Sequence, residues 1–348
     1  MSNLFVTSDE IGQESGGGVV TKNELQALRE LGEVDIINPL FTTNNPFDND
    51  ERGLAEYKNK KKRYELAHFY SGTFSKLTRQ LKEDGTKITW TIAAHDVIIS
   101  KEEHENLGTP FNYPHLIMPE LWHKYIEGYL LSDVIICPGT LPKSVVEEYD
   151  DYKDTAVVVI PHGVDLPSEK DIKPISDKSF VCSYLGVPGA DKGLIYLIQA
   201  WKKLNYNDAL LIIAGNNTEM LLPLVRGYGG GAIHLHGWAN KPSDVYNNCS
   251  CYIQPSMTEG FGLEVLEAMS YGRPVICSSG AGAKDCIRNN VDGLVVERRN
   301  VDALCQAIDY YKKNPNKIIE HGANAKEKAK EYTWDKVKKQ YQELWRSL

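Results

Sequence analysis

Glu259-Gly-Phe-Gly-Leu-Glu-Val-Leu-Glu267 follows closely on Cys251-Tyr-Ile-Gln254, an apolar run ended by Pro255 and Ser256. The run reads as a buried strand reaching a turn. From Gly262 onward Leu263, Leu266 and Met269 recur at helical spacing, while Glu264, Glu267 and Tyr271 lie off that stripe. Strand, glycine loop and helix N-terminus therefore arrive in sequence. The first amides of a helix have no partner within it and carry the positive end of the dipole, so Gly260 and Gly262 let a phosphate approach bare N–H groups. Glu267 sits about five residues into the helix, roughly 7–8 Å along it, in reach of a sugar hydroxyl one diphosphate away. Gly-x-Gly alone is a weak motif, and two glutamates at this spacing are more often a solvated face than a site. The context decides, because Pro274-Val-Ile-Cys277 after Gly272 completes a strand-helix-strand unit, and parallel sheets place ligands at that edge.

Working outward, Phe180-Val-Cys-Ser-Tyr-Leu185 opens the same alternation, turns through Gly186 to Gly193 and enters a helix through Lys203. Lys192 stands at the start of that helix, where the dipole disfavours a cation. A nearby phosphate explains it, although a surface lysine needs no explanation. Leu210 to Gly215 and Ile233-His-Leu-His236 are further strands. Trp238 either stacks on a base or caps the core, and the core is the safer expectation. Asp292-Gly293 turns into Leu294-Val-Val-Glu297, and helical patterns with Lys- and Glu-rich faces fill the chain from Val301 onward.

Upstream, Leu4-Phe-Val-Thr7 reads as a first strand and Glu14-Ser-Gly-Gly-Gly-Val-Val20 as a glycine loop opening a helix through Leu31. That loop has neither the dinucleotide fingerprint nor the P-loop ending. Val34 to Ile37 is a second strand, followed by a polar loop in which Asp48-Asn49-Asp50 reads as a turn, not a metal motif. Lys58, Lys60, Lys61, Lys62 and Arg63, with Lys76, Arg79 and Lys82 beyond them, form a basic tract. A solvated helical face is its simplest reading, an acidic partner or an anionic membrane surface the other. Ile88 to Ala94 is a strand ending at His95-Asp96, placed for ligand contact or for structure. A helix is expected within Leu116–Leu131, a strand at Val134 to Cys137, a helix at Pro142 to Glu148 and a strand at Val157 to Ile160. Pro161-His-Gly-Val-Asp165 then leads into a polar linker through Ser179.

The chain has 348 residues, 42% hydrophobic and 25% charged, long enough for two α/β domains of ordinary composition. A net charge of -8 argues against nucleic acid as a partner. Seven cysteines without C-x-x-C spacing read as buried reduced thiols. Neither a leader nor a spanning segment is apparent, so a cytoplasmic protein is expected, with peripheral contact at the inner membrane face through residues 58–82.

Residues 180 to 297 resemble the C-terminal donor-binding domain of retaining GT-B glycosyltransferases of family 4, the glycogen-synthase-like group. The resemblance rests on Pro255 to Met269, which reproduces that group's Pro-Ser-x-x-Glu-Gly-Phe-Gly-Leu-x-x-Leu-Glu-Ala-Met context, on Pro161 to Asp165, Lys192-Gly193 and Tyr332-Thr-Trp334. Over the first half it rests on Gly16-Gly17-Gly18, His95-Asp96 and the overall alternation. It implies two Rossmann-like parallel-sheet domains facing across a cleft: an acceptor-side domain at 1–164, a nucleotide-sugar domain at 165–332 and a C-terminal helix at 333–348 packing back on the first. It further implies that Glu259 contacts donor sugar hydroxyls, that the amides from Gly260 and Phe261 through Gly262 and Leu263 meet sugar and diphosphate, and that Glu267 holds the ribose. Lys192 would hold phosphate and His95 would lie over the sugar, while Gly17 and Gly18 would close on the diphosphate or acceptor. The arginine usual five residues before that lysine is Val187 here, with Lys284 and Arg226 as candidate substitutes, and the usual Pro-Glu near 284 is Lys284-Asp285.

The expected reaction is a front-face transfer from a UDP- or GDP-linked sugar to an acceptor hydroxyl, with amides and Lys192 stabilising the leaving diphosphate and no metal or other cofactor. The acceptor stays open among lipid, polysaccharide and protein. A phosphorylase, a nucleotide-sugar epimerase or a sugar-nucleotide sensor uses the same cradle, and a dehydrogenase is disfavoured by both glycine loops.

Overall fold

The computed structural model describes residues 2–13, 15–39, 48–70, 72–92, 97–106, 127–148, 155–176, 179–227 and 231–348. Strands β1 (Ser2–Thr7), β2 (Glu33–Ile37), β3 (Leu66–Tyr70), β4 (Lys87–Thr91), β5 (Val134–Cys137) and β6 (Ala156–Val159) form one parallel sheet in the order β2-β1-β3-β4-β5-β6. A second parallel sheet joins β7 (Phe180–Leu185), β8 (Ala209–Ala214), β9 (Ala232–Gly237), β10 (Cys251–Gln254), β11 (Val275–Ser278) and β12 (Gly293–Val296) in the order β12-β11-β10-β7-β8-β9. Central strands such as β5 and β11 are buried along their whole length, which is why they read as unbroken apolar runs and not as alternations.

The chain divides into two compact units, Met1–Val97, Phe111–Gly163 and Trp334–Leu348 in one, Ile98–Pro110 and Val164–Thr333 in the other. The helix Trp334–Arg346 belongs to the first unit and packs there through its own aromatic face. Tyr341 donates to Glu24 Oε1 at 2.6 Å, and Trp345 Nε1 donates to Thr89 Oγ1 at 3.0 Å. In the second unit, Glu103 of the helix Val97–Asn106 is buried, accepts from the Tyr196 hydroxyl at 3.1 Å and pairs with Arg299.

Strand order decides where a ligand fits. In the second sheet the chain runs from β7 outward through β8 and β9, then returns to the other side of β7 as β10. The connections leaving β7 and β10 run to opposite sides of the sheet, and open parallel sheets place ligands at the carboxyl ends of strands at such a switch point. Among the described residues no helix is long and apolar enough to cross a membrane.

Several local expectations change. Strand β3, fully buried between β1 and β4, escapes a reading based on turn signals because Leu66-Ala-His-Phe-Tyr70 adjoins the basic tract without a Gly or Pro break. Asp48–Asp50 is not a turn but the first turn of the helix Asp48–Lys60, and the Asp50 carboxylate accepts from Lys76 N at 2.9 Å and Leu77 N at 3.1 Å. The basic tract is largely paired: Lys62 lies 3.0 Å from Asp35, Lys82 2.8 Å from Asp133, and Lys76 and Arg79 contact Glu51 and Glu127. Strand β4 ends at Thr91, short of the expected Ala94. Of the helix expected within Leu116–Leu131, residues 116–126 lie outside the described residues.

His162 carries a stability prediction. It is buried, and burial pushes its imidazole down to about 4 from an ordinary 6.5. The unfolded chain then binds the extra proton between those values, so stability is lost as pH falls through that window. At about 1.4 kcal/mol per unit, urea denaturation should show His162 removing about 2–3 kcal/mol from pH 6.5 to 4.5, and His162→Gln should lack that part of the slope.

Candidate active site

Two loops build the site, and backbone contacts press them together. Met257 N donates to Asp191 O at 2.7 Å, joining the loop after β10 to the turn after β7. Glu259 N donates to Gly280 O at 2.8 Å, and Ala283 N to Phe261 O at 2.8 Å, joining it to the segment after β11. Space is short at these crossings. Gly193 has φ +67°, and a Cβ there would lie 2.1 Å from Pro255 O; a Cβ on Gly282 would lie 2.2 Å from Gly260 O. Glycine is required at both.

Gly262, at φ 95°, turns the loop into the helix Leu263–Ser270, so the expected order of strand, glycine loop and helix is present. Phe261 is buried with Val265, Leu266, Ala281 and Ala283, so its ring anchors the loop. What Gly260, Phe261, Gly262 and Leu263 present at this point is backbone, at the positive end of a helix dipole.

Around that helix start stand the charged groups. Lys192, in the turn Ala190–Lys192, pairs directly with Glu259, whose Oε2 also lies 3.3 Å from Ser256 Oγ. Both charged side chains keep some exposure, 26% for Lys192 and 19% for Glu259. Burial alone would lower the Lys192 ammonium, but the carboxylate of Glu259, with Tyr184 and Asp191, holds it above its usual value. Glu267 accepts from the Tyr246 hydroxyl at 2.6 Å; burial raises its carboxyl, and this bond works the other way. Behind Ser256 runs a buried chain in which Tyr252 OH donates to Gln254 Oε1 at 2.7 Å and Gln254 Nε2 to Ser256 Oγ at 2.9 Å. This chain fixes the Glu259 carboxylate through Ser256.

The sequence reading places Lys192 on one motif and Glu259 and Glu267 on another; the fold brings Lys192 into contact with Glu259 beyond the carboxyl ends of β7 and β10. It does not identify Ser256, Gln254, Tyr246 or Glu264 as part of the surroundings. Glu264, in the first turn, was visible only as a residue off the apolar stripe. Trp238 does not cap the core: it stands just beyond β9 at 54% exposure. Gly17 and Gly18 lie in the first turn of Gly16–Arg29 in the first unit, where Gly18 N already donates to Ser15 Oγ at 3.1 Å. A Cβ on Gly18 would lie 2.5 Å from Gln13 O, so close packing requires a glycine there. His95 lies outside the described residues.

At the missing-arginine position Val187 is 51% exposed. Lys284 pairs with Asp285 at 2.9 Å in the turn Gly282–Cys286, which flanks the Phe261 backbone. Arg226 sits on the short helix Leu222–Gly227 after β8. Arg298, not singled out beforehand, reaches Met257 O at 3.1 Å and so touches the same loop. Among the described residues no group of three or more His, Cys, Asp or Glu is arranged to hold a metal ion.

Comparison with known proteins bears on this geometry. Residues 166–332 match the family described as Glycosyl transferases group 1. The chain is 25% identical over 270 residues to a UDP-Gal:alpha-D-GlcNAc-diphosphoundecaprenol alpha-1,3-galactosyltransferase of Escherichia coli, covering 72% of this chain and 66% of that protein. Sucrose-phosphate synthase from Thermosynechococcus elongatus superposes with a TM-score of 0.80 at 18% identity, covering 100% of this chain and 99% of that one. Anabaena HepE in complex with UDP-glucose superposes with a TM-score of 0.74 at 17% identity over 100% of both chains. The fold is GT-B, with two six-stranded parallel sheets. With residues 166–332, nearly all of the second unit, matching the Glycosyl transferases group 1 model and glycosyltransferases among its relatives, the chain is a glycosyltransferase.

Proposed function

We propose that the site between β7 and β10 holds the diphosphate of a nucleotide sugar and transfers its sugar, with retention, to an acceptor hydroxyl. The observation that carries this is the Lys192–Glu259 pair set beside the start of the helix Leu263–Ser270. Amides and one ammonium meet the diphosphate there, and a carboxylate remains for sugar hydroxyls. In the reaction the bond from the anomeric carbon to the diphosphate oxygen breaks while the acceptor oxygen bonds the same face. The acceptor's proton passes to the departing diphosphate. Charge grows on that oxygen, and preorganised donors aimed at it are the dominant means of lowering such a barrier. Glu259 orients the sugar, and Glu267, steadied by Tyr246, takes the ribose hydroxyls.

The Escherichia coli relative and the HepE complex favour a UDP-sugar, and the former also favours a lipid-linked sugar as acceptor. A thermal-shift screen against UDP-, GDP-, ADP- and CMP-sugars tests the donor half. One nucleotide class should stabilise the chain, and no response to any of them would refute the reading. Glu267→Ala should weaken nucleotide affinity about tenfold to a hundredfold, the loss of one or two charge-assisted hydrogen bonds, with little change in kcat at saturating donor.

A further inference from the structure

Both donors to the Glu259 carboxylate converge on one oxygen. Lys192 Nζ and Ser256 Oγ each meet Oε2, and among the described residues no hydrogen bond reaches Oε1. Ser256 is in turn the last of a line of side chains. Gln254 Nε2 donates to Ser256 Oγ at 2.9 Å, and Tyr252 OH lies 2.7 Å from Gln254 Oε1 and 3.2 Å from Leu185 O at the end of β7. Tyr252, Gln254 and Ser256 are all buried. The Ser256 backbone is held separately, its carbonyl accepting from the Ser278 hydroxyl of β11.

Glu259 sets the direction of every link. It faces the Lys192 ammonium as a carboxylate, which accepts and cannot donate, and a serine hydroxyl has a single proton to give. That proton goes to Glu259, so Ser256 Oγ receives its other bond from Gln254. The Gln254 amide is thereby oriented, nitrogen toward Ser256 and oxygen toward Tyr252, whose phenol donates to it. With the amide turned round, Gln254 Oε1 would take the Ser256 proton, and Ser256 would present lone pairs to a carboxylate oxygen 3.3 Å away. Buried polar groups mismatched in this way are costly, so one arrangement prevails.

We propose that Gln254 is a positioning residue for the transfer: by turning the Ser256 hydroxyl onto Oε2 of Glu259, it pins the carboxylate and leaves Oε1 as the oxygen that meets the donor sugar. This rests on the donor site proposed above. Gln254 acts through Ser256 and Glu259, not on the ligand, so its effect falls on turnover more than on donor binding. A carboxylate already held in place needs no rearrangement as charge develops at the anomeric carbon.

The test is steady-state release of nucleoside diphosphate from UDP-glucose, UDP-galactose and GDP-mannose by shape-preserving variants of the full chain. Ser256→Ala removes a hydrogen bond to a charged group and should lower kcat about tenfold or more. Gln254→Met removes the orienting amide and should lower kcat about threefold to tenfold, with the donor KM within about threefold of wild type. Gln254→Glu keeps the size but accepts from Ser256, which turns the hydroxyl away from Glu259, and should lose more than Gln254→Met. The Glu259→Ala background separates positioning from general damage, because there Gln254→Met should lower kcat by no more than about twofold. An equal loss in both backgrounds, or a Gln254→Met enzyme with wild-type kcat, overturns the role of Gln254 and leaves the donor site standing. If Gln254→Met folds poorly, Tyr252→Phe frees the amide to turn and should show the same dependence on Glu259; a loss that ignores Glu259 overturns the role equally. Absence of release from all three nucleotide sugars by the wild type overturns the donor site, and Gln254 with it.

Discussion

Glu259→Ala should lower turnover about a hundredfold to a thousandfold while donor affinity changes by less than tenfold, the pattern of a contact that strengthens in the transition state. The geometry sets this asymmetry. Glu259 is held by Lys192 on one side and Ser256 on the other, so its carboxylate is fixed before any sugar arrives. In the proposed site, removing it would cost orientation at the anomeric centre, whereas the amides beginning at Gly260 would still receive the diphosphate. Steady-state release of nucleoside diphosphate from a nucleotide sugar measures both quantities. A kcat within threefold of wild type would remove Glu259 from the reaction.

The second large effect belongs to Lys192→Met, where kcat/KM should fall about a hundredfold to a thousandfold through both parameters. In the proposed site the ammonium would do two things at once: it pairs with Glu259 and would face the diphosphate. Without it Glu259 is left half-buried and without its ion-pair partner, an arrangement that costs far more than an exposed ion pair. The double variant Lys192→Met with Glu259→Gln should therefore bind donor better than Lys192→Met alone. Equal affinities would mean that the pair does not couple at the ligand.

The second unit was largely legible because its chemistry is local. Strand, glycine loop and helix from Cys251 to Ser270 follow one another in sequence, and their periodicities switch where the structure switches. What sequence could not give is the crossing of loops that are far apart along the chain. Nothing near Lys192 announces that its partner is Glu259, because their meeting depends on β10 returning beside β7. Tyr246 was missed for the same reason, since its hydroxyl reaches Glu267 from the helix Pro242–Asn247. Trp238 misled because an aromatic after a strand reads as core, while β9 is the edge of its sheet and leaves the ring exposed. In the first unit, β3 passed unnoticed because it adjoins the basic tract without a Gly or Pro to mark its start. The Lys- and Arg-rich tract gave the opposite lesson. Its charge is conspicuous in the sequence, but carboxylates from β2, from neighbouring helices and from the segment before β5 answer much of it.

The most direct test is a crystal of the chain soaked with an intact nucleotide sugar. The diphosphate should sit against the amides from Gly260 to Glu264 with a phosphate oxygen within hydrogen-bond distance of Lys192 Nζ, and the ribose beside Glu267. Diphosphate density seated elsewhere, at the Gly16–Gly18 turn for example, with Lys192 and Glu259 still paired and untouched, would contradict it.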